Sequence, residues 1–454
     1  MPRWAQAASA GELATKVNNL SSSINVSGPD YLQFASRLYR ERCAASSLCL
    51  HCPLERHPSS PGACLITMEM TLDWLPAINQ LNPQQTRILT DISTNQTSNH
   101  WVSGYAGTGK TVVVAQAIER IVARTRSATI CFVAFTHALK DLVESGLSEA
   151  ARDRVTIETA DRFTRSNARR FDYILVDEVQ DLSAQQIRKI IERATHVIAA
   201  GDPDQAIYQG KVLPKQLAEL LGGAKRHTLK EIQRLSPLVL EMAKTVLPEA
   251  SVEGGSRPFA KGHPGKLIKG SSTKDEFLKV YHEACRVSET GYPSAILFPR
   301  HKQIARFAAA ISEEQGWGKP PERETRPNVG DYEAFNDFFE RKKSPLRFLG
   351  SNNGSLPESD QKKIVFLMTY HSAKGLDFNN VFLPQLNEGE VLNPVFGGYD
   401  TSDLAERRLF FVALTRSKET VYLSYSDEKH RLLRRLPAKC IEPWTPTSGL
   451  FRRQ

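Results

Sequence analysis

The chain has 454 residues, 41% of them hydrophobic and 24% charged, a balance that suits a water-soluble globular protein of two or three domains and excludes a disordered or fibrous one. Its formal net charge of +9 at pH 7 favours a polyanionic partner, because a basic surface raises the local concentration of nucleic acid. No stretch approaches about 18 consecutive apolar residues and no basic-then-apolar leader opens the chain, so no membrane partner and a cytoplasmic location are expected.

Residues 1–75 form a first module without any nucleotide motif. Four of the seven cysteines fall here, as Cys43, Cys49, Cys52 and Cys64, in a stretch interrupted by Pro53, Pro58, Pro61 and Gly62. A reducing compartment disfavours disulfides, so one Cys-x-x-Cys pair with two outlying cysteines is read as a metal site. Four thiolates suit a [4Fe–4S] cluster, and Zn2+ is the equal alternative; unligated thiols in an interaction segment are the plain reading.

From residue 76 to 222, apolar strands alternate with helical patterns, as in a parallel sheet with crossover helices. Gly104-Tyr105-Ala106-Gly107-Thr108-Gly109-Lys110-Thr111 lies between an apolar approach and the run Val112–Ile118, the order strand, phosphate loop, helix. Gly104, Gly107, Thr108 and Gly109 would let backbone N–H groups converge on phosphate at a helix N-terminus, with Lys110 on the β/γ-phosphates and Thr111 on Mg2+. Further on, the apolar run Tyr173–Val176 ends in Asp177 and Glu178. A buried parallel strand exposes its acids where it emerges at the ligand-binding edge of the sheet. Asp177 is therefore placed to hold Mg2+ and Glu178 to polarise an attacking water, which argues for nucleotide hydrolysis beyond mere binding.

The region 223–454 reads as a second α/β unit, with strand candidates at 294–298, 364–368 and 420–424. Between the first two lies a polar stretch, 318–363, with one aromatic helical pattern around Phe335, Phe338 and Phe339, expected to be a surface insertion.

In chain order the remaining motifs are Leu81-Asn82-Pro83-Gln84-Gln85, Thr159–Phe163, Asp177-Glu178-Val179-Gln180-Asp181, Gly201-Asp202-Pro203-Asp204-Gln205, Gln233-Arg234, Thr369–Phe378 and Arg407–Arg416. Together with the phosphate loop, these resemble the UvrD/Rep-like helicases of superfamily 1 over about residues 80–426. The resemblance implies an α/β fold of two RecA-like parallel-sheet lobes, here with the small N-terminal cysteine module. It implies that Gln85 reads adenine, that Gly375 and Asp377 border the nucleotide, and that Gln205 senses the γ-phosphate. Arg234 and Arg416 would be arginine fingers from the second lobe, completing a catalytic set with Lys110, Asp177, Glu178 and Gln205. A nucleic-acid strand would cross both lobes at Phe135, Thr136, His137, Phe163, Tyr208, Thr369 and His371.

The chain departs from the family in three places. Tyr208-Gln209-Gly210-Lys211 lacks a stacking ring, Ile232-Gln233-Arg234 lacks the tyrosine that stacks on adenine, and Asp377 replaces a longer glutamate. The intervals 111–177 and 234–369 also leave room for neither of the accessory subdomains of larger relatives in full. The expected function is an ATP-dependent translocase or helicase on single-stranded DNA, with 3′→5′ polarity implied by the resemblance alone and RNA left open. The alternatives are a DNA-stimulated ATPase subunit of a nuclease or phage-defence complex, with that protein as partner, and a nucleotide-gated binding module.

Overall fold

The computed structural model describes residues 74–95, 98–166, 169–202, 205–207, 212, 214–250, 263–288, 293–321, 329–350, 363–390 and 403–444. The cysteine cluster Cys43–Cys64 and Tyr208 lie outside these residues.

The first sheet contains β1 (His100–Gly104), β2 (Ile130–Ala134), β3 (Val155–Thr159), β4 (Phe171–Val176), β5 (Ala194–Ala200) and β6 (Lys225–Leu229). Their order is β3-β2-β4-β5-β1-β6, and every pairing is parallel. Parallel strands need crossover helices, which cover both faces, so β2 is buried along its whole length and reads as a continuous apolar run. The sheet runs past the boundary expected at residue 222, because β6 pairs with β1 from His100↔Lys225 to Gly104↔Leu229.

The second sheet contains β7 (Gly265–Lys269), β8 (Ser294–Phe298), β9 (Leu346–Phe348), β10 (Val365–Thr369), β11 (Phe378–Leu383), β12 (Ser417–Tyr425) and β13 (Ile441–Pro443). It too is wholly parallel, in the order β13-β7-β12-β11-β8-β10-β9. The architecture is two RecA-like lobes. The stretch 318–363 does more than decorate the surface. Its helix Val329–Arg341 packs Phe338 and Phe339 into the core, and Asn336 ties to Phe348 through both amide atoms at 3.0 and 2.7 Å. That arrangement seats β9 as an edge strand of the sheet.

The apolar core of the second lobe does not stop at that lobe. Tyr105, Ala106 and Ala138 of the first lobe join one buried cluster with Leu235, Phe410 and Phe411, and the Tyr105 ring meets Phe411 edge-on at 5.3 Å. The phosphate loop is therefore held from behind by its own sheet and from in front by the second lobe.

Candidate nucleotide site

Three neighbouring strands deliver the site. β5 lies between β1 and β4, so the loop after Gly104, Asp202 and Gln205, and Asp177 with Glu178, all beyond the C-terminal ends of these strands, converge on one edge. This is the edge at which open α/β sheets bind ligands.

Gly107 and Gly109 adopt φ of +78° and +85°, a region that side-chain-bearing residues disfavour. A Cβ at Gly107 would also lie 3.2 Å from Cβ of Arg234, so the second lobe comes down directly on the loop. Lys110 Nζ donates to the carbonyls of Gly104 and Tyr105 at 2.6 and 3.2 Å. Burial lowers its pKa, and the carboxylates of Asp202, Glu178 and Asp177 oppose that shift.

Thr111 Oγ1 donates to Asp177 Oδ2 at 2.6 Å. A hydroxyl and a carboxylate beside a phosphate loop are the hard oxygen donors that Mg2+ requires, so these residues fit the ion. Burial, and then the adjacent Glu178, push Asp177 up to about 6. Burial works the same way on Glu178, but Lys374, Lys110 and Gln180 outweigh it, and its pKa is lowered. Gln180 Nε2 donates to Glu178 Oε2 at 2.5 Å, while its Oε1 accepts from Asp202 N at 3.1 Å. Gln205 Nε2 donates to Asp202 Oδ2 at 2.6 Å.

Gln85 caps the helix Pro83–Thr94 reciprocally with Asn82, and its Nε2 donates to the carbonyl of Thr108 at 3.3 Å. Both ends of the amide expected at adenine are thus engaged within the chain. Thr108 Oγ1 in turn donates to the Tyr105 carbonyl at 2.9 Å. Gly375, also expected at the nucleotide, packs against Leu139, with its φ at +85°.

The two arginines differ. Arg234 pairs with Asp377 and donates through Nη2 to the Thr415 carbonyl at 3.1 Å. Its Nε is buried and has no hydrogen-bond partner among the described residues, and it lies 3.6 Å from where a Gly107 Cβ would be. Arg416 is 3% exposed and donates to Val412 O, Leu376 O and Thr415 Oγ1 at 3.0, 3.2 and 3.2 Å. Burial, then Arg234, lower its pKa to about 10, which leaves it charged at neutral pH.

One residue escaped the sequence reading. Lys374 of the second lobe lies 2.6 Å from Asp181 and 4.0 Å from Glu178, and it donates to the Gln205 carbonyl at 2.5 Å. Its position within Thr369–Phe378 was the available signal, but a lysine in a motif loop reads as solvent-facing until the opposite lobe is in place.

The residues expected along a nucleic-acid strand separate into two groups. Phe163 is corrected to a core residue, 3% exposed, packed on Phe171 at 6.3 Å with the Arg193 guanidinium 5.1 Å from its ring. Thr136 caps the helix His137–Gly146, and Thr369 closes a turn with Ser372 Oγ at 2.9 Å, so both hydroxyls organise backbone. His137 is exposed and Phe135 half-buried. Burial, and then Lys374, push the His371 pKa down to about 4, so the ring is neutral at physiological pH.

Two family models match parts of the chain. The AAA domain family matches residues 80–250, and the UvrD-like helicase C-terminal domain family matches residues 300–428. The second lobe thus matches the UvrD-like helicase family, and the chain as a whole resembles the UvrD/Rep-like superfamily 1 helicases. This UvrD-like chain is 32% identical to "ATP-dependent DNA helicase UvrD1" of Mycobacterium leprae over 33% of its own length and 22% of that protein. It is 25% identical to a "Probable DNA helicase" of Mycoplasma pneumoniae over 55% of its length and 43% of that protein. With "ATP-dependent DNA helicase Rep" of Buchnera aphidicola it shares 41% identity over 15% of its length and 10% of that protein. The chain thus spans less than half the length of these curated relatives. Among solved structures it is similar to an arterivirus nonstructural protein 10 helicase in complex with DNA, at 15% identity, TM-score 0.37, covering 76% of this chain and 65% of that one.

Proposed function

We propose that this protein is an ATPase that moves along single-stranded DNA, in the 3′→5′ direction, and separates strands as it moves. The observation that carries the reading is the buried, unpartnered Nε of Arg234 beside Gly107. A buried guanidinium N–H without an acceptor costs free energy, and a phosphoryl oxygen held by the loop would supply that acceptor.

In this reading Lys110 and the loop N–H groups bind the β/γ-phosphates, and Glu178 orients the attacking water through its free acceptor capacity. Gln205 faces the same water or the γ-phosphate, and Arg234 neutralises charge that grows on the transferring group. Thr111 and Asp177 would hold Mg2+, which neutralises phosphate charge when bound. Arg234 and Lys374 both come from the second lobe, so the presence of ATP favours a closed pair of lobes and its loss favours a looser one. Alternating closure of this kind moves a bound strand. His137, Phe135, His371 and Tyr208 are the proposed strand contacts.

The shortness of the intervals 111–177 and 234–369 favours a second reading, in which the chain is a DNA-stimulated ATPase that unwinds only with a nuclease or phage-defence partner. Strand displacement by the purified protein on 3′-tailed, 5′-tailed and RNA duplexes decides between them. ATP-dependent displacement of the 3′-tailed DNA alone is expected. DNA-stimulated hydrolysis without displacement on any substrate would establish the second reading, and no stimulation by any strand would end both.

A further inference from the structure

At the opposite end of β1 from the phosphate loop, about 13 Å away for a strand of this length, two histidines and an aspartate meet. His100 opens β1, His227 lies on the neighbouring edge strand β6, and Asp91 lies in the last turn of the helix Pro83–Thr94. One ligand atom from each falls within 4.8 Å of the other two. We propose that Asp91, His100 and His227 form a binding site for a divalent transition-metal ion of the zinc class, which staples this helix to the edge of the first sheet.

The spacing suits the ion. His100 Nδ1 and His227 Nε2 are 3.0 Å apart, and His227 Nε2 is 3.5 Å from Asp91 Oδ2. Zinc bonds of about 2.0–2.1 Å set tetrahedral ligand-to-ligand distances of about 3.3–3.4 Å. Shifts of a few tenths of an ångström therefore convert the observed cluster into three corners of a tetrahedron. Asp91 and His227 are partly exposed, which leaves a side from which water can complete the shell.

The outer contacts orient the donors toward the ion. His100 Nε2 lies 3.1 Å from the carbonyl of Asn95, so that nitrogen carries the proton and Nδ1 presents a bare lone pair. Asp91 Oδ1 accepts from Asn95 Nδ2 at 2.5 Å and from Lys225 Nζ at 2.6 Å, which leaves Oδ2 to face His227. Burial lowers the pKa of both imidazoles. The rings stack at 5.3 Å and 17°, with their edge nitrogens directed at each other. Without an ion, only one proton can lie between those nitrogens. A cation serves both lone pairs and the carboxylate together.

The effect on the molecule is positional. The helix fixed at Asp91 begins at the Asn82–Gln85 cap, and Gln84 Oε1 accepts from Lys230 N at 3.0 Å just beyond β6. A metal staple would therefore hold both ends of the helix to β6, one of them beside the phosphate loop.

The test uses full-length, tag-free protein in which Cys43, Cys49, Cys52 and Cys64 are replaced by serine, stripped with chelator and titrated with Co2+. One cobalt per chain is expected, with visible d–d bands of a nitrogen and oxygen ligand set and no thiolate charge-transfer band, displaced by Zn2+. His227→Gln should weaken binding by at least about 100-fold, beyond the loss that follows removal of an outer contact, in protein still folded by circular dichroism. Absence of cobalt binding in the folded four-serine protein, or binding unchanged by His227→Gln, overturns the proposal and leaves a hydrogen-bonded histidine pair. Should the four-serine protein not fold, zinc per chain in the protein with its cysteines intact must fall by one on His227→Gln. An unchanged count then overturns the proposal.

Discussion

Lys374 and Asp181 lie 2.6 Å apart with side chains 1% and 0% exposed, one from each lobe. Removing either partner strands a buried charge. Lys374→Met should therefore destabilise the protein by about 3–5 kcal/mol in chemical denaturation, whereas the double replacement Lys374→Met with Asp181→Leu should recover much of the loss. Equal stability of the single variant and the parent would mean that the lobes do not close on this pair in solution.

Glu178 sits where water activation is proposed, held by Gln180 at 2.5 Å. Glu178→Gln should lower DNA-stimulated hydrolysis by orders of magnitude and leave ATP affinity almost unchanged. Lys110→Ala should lower both, because Lys110 is a proposed contact to the β/γ-phosphates themselves. Steady-state turnover with equilibrium nucleotide binding checks the pair, and unimpaired turnover in Glu178→Gln would remove that residue from the mechanism.

Arg234 and Arg416 should part company when mutated. Arg234 Nε has no hydrogen-bond partner at the loop among the described residues, so Arg234→Ala should slow hydrolysis by about 10³-fold or more, with a smaller drop in melting temperature, from its Asp377 and Thr415 contacts, than Arg416→Ala. Arg416 is tied to Val412, Leu376 and Thr415, and Arg416→Ala would remove the donor from the Leu376 carbonyl and open a cavity where a buried side chain stood, while Val412 O keeps Thr415 Oγ1. That variant should lose stability by about 1–3 kcal/mol per stranded group as well as activity. A melting curve alongside the turnover assay tells the two apart, and a fully active Arg234→Ala would refute the finger assignment.

Strand affinity should depend steeply on salt. Few exposed aromatics remain among the proposed contacts once Phe163 is assigned to the core, so phosphate contacts must supply most of the binding. The logarithm of the binding constant should fall by about 0.7 per phosphate contact for each tenfold rise in salt. Fluorescence anisotropy with a labelled oligonucleotide measures the slope, and a flat response would contradict a strand held by its phosphates.

The sequence alone was enough for whatever rests on local order along the chain. A glycine loop between strand and helix, acids at the end of an apolar strand, and strands near 294–298, 364–368 and 420–424 can each be read from neighbouring residues, since backbone conformation and burial pattern are short-range properties. The long-range relationships could not be read so. β6 joins the first sheet because its register with β1 outweighs its place in the second half of the chain. Phe163 enters the core because Phe171 and Arg193 close over it. Lys374 becomes a buried inter-lobe contact, and Asp91, His100 and His227 become one cluster, only when segments separated by more than 100 residues are folded together. Spacing in sequence says nothing of such pairs, because their energies depend on distance and burial, which the tertiary fold decides.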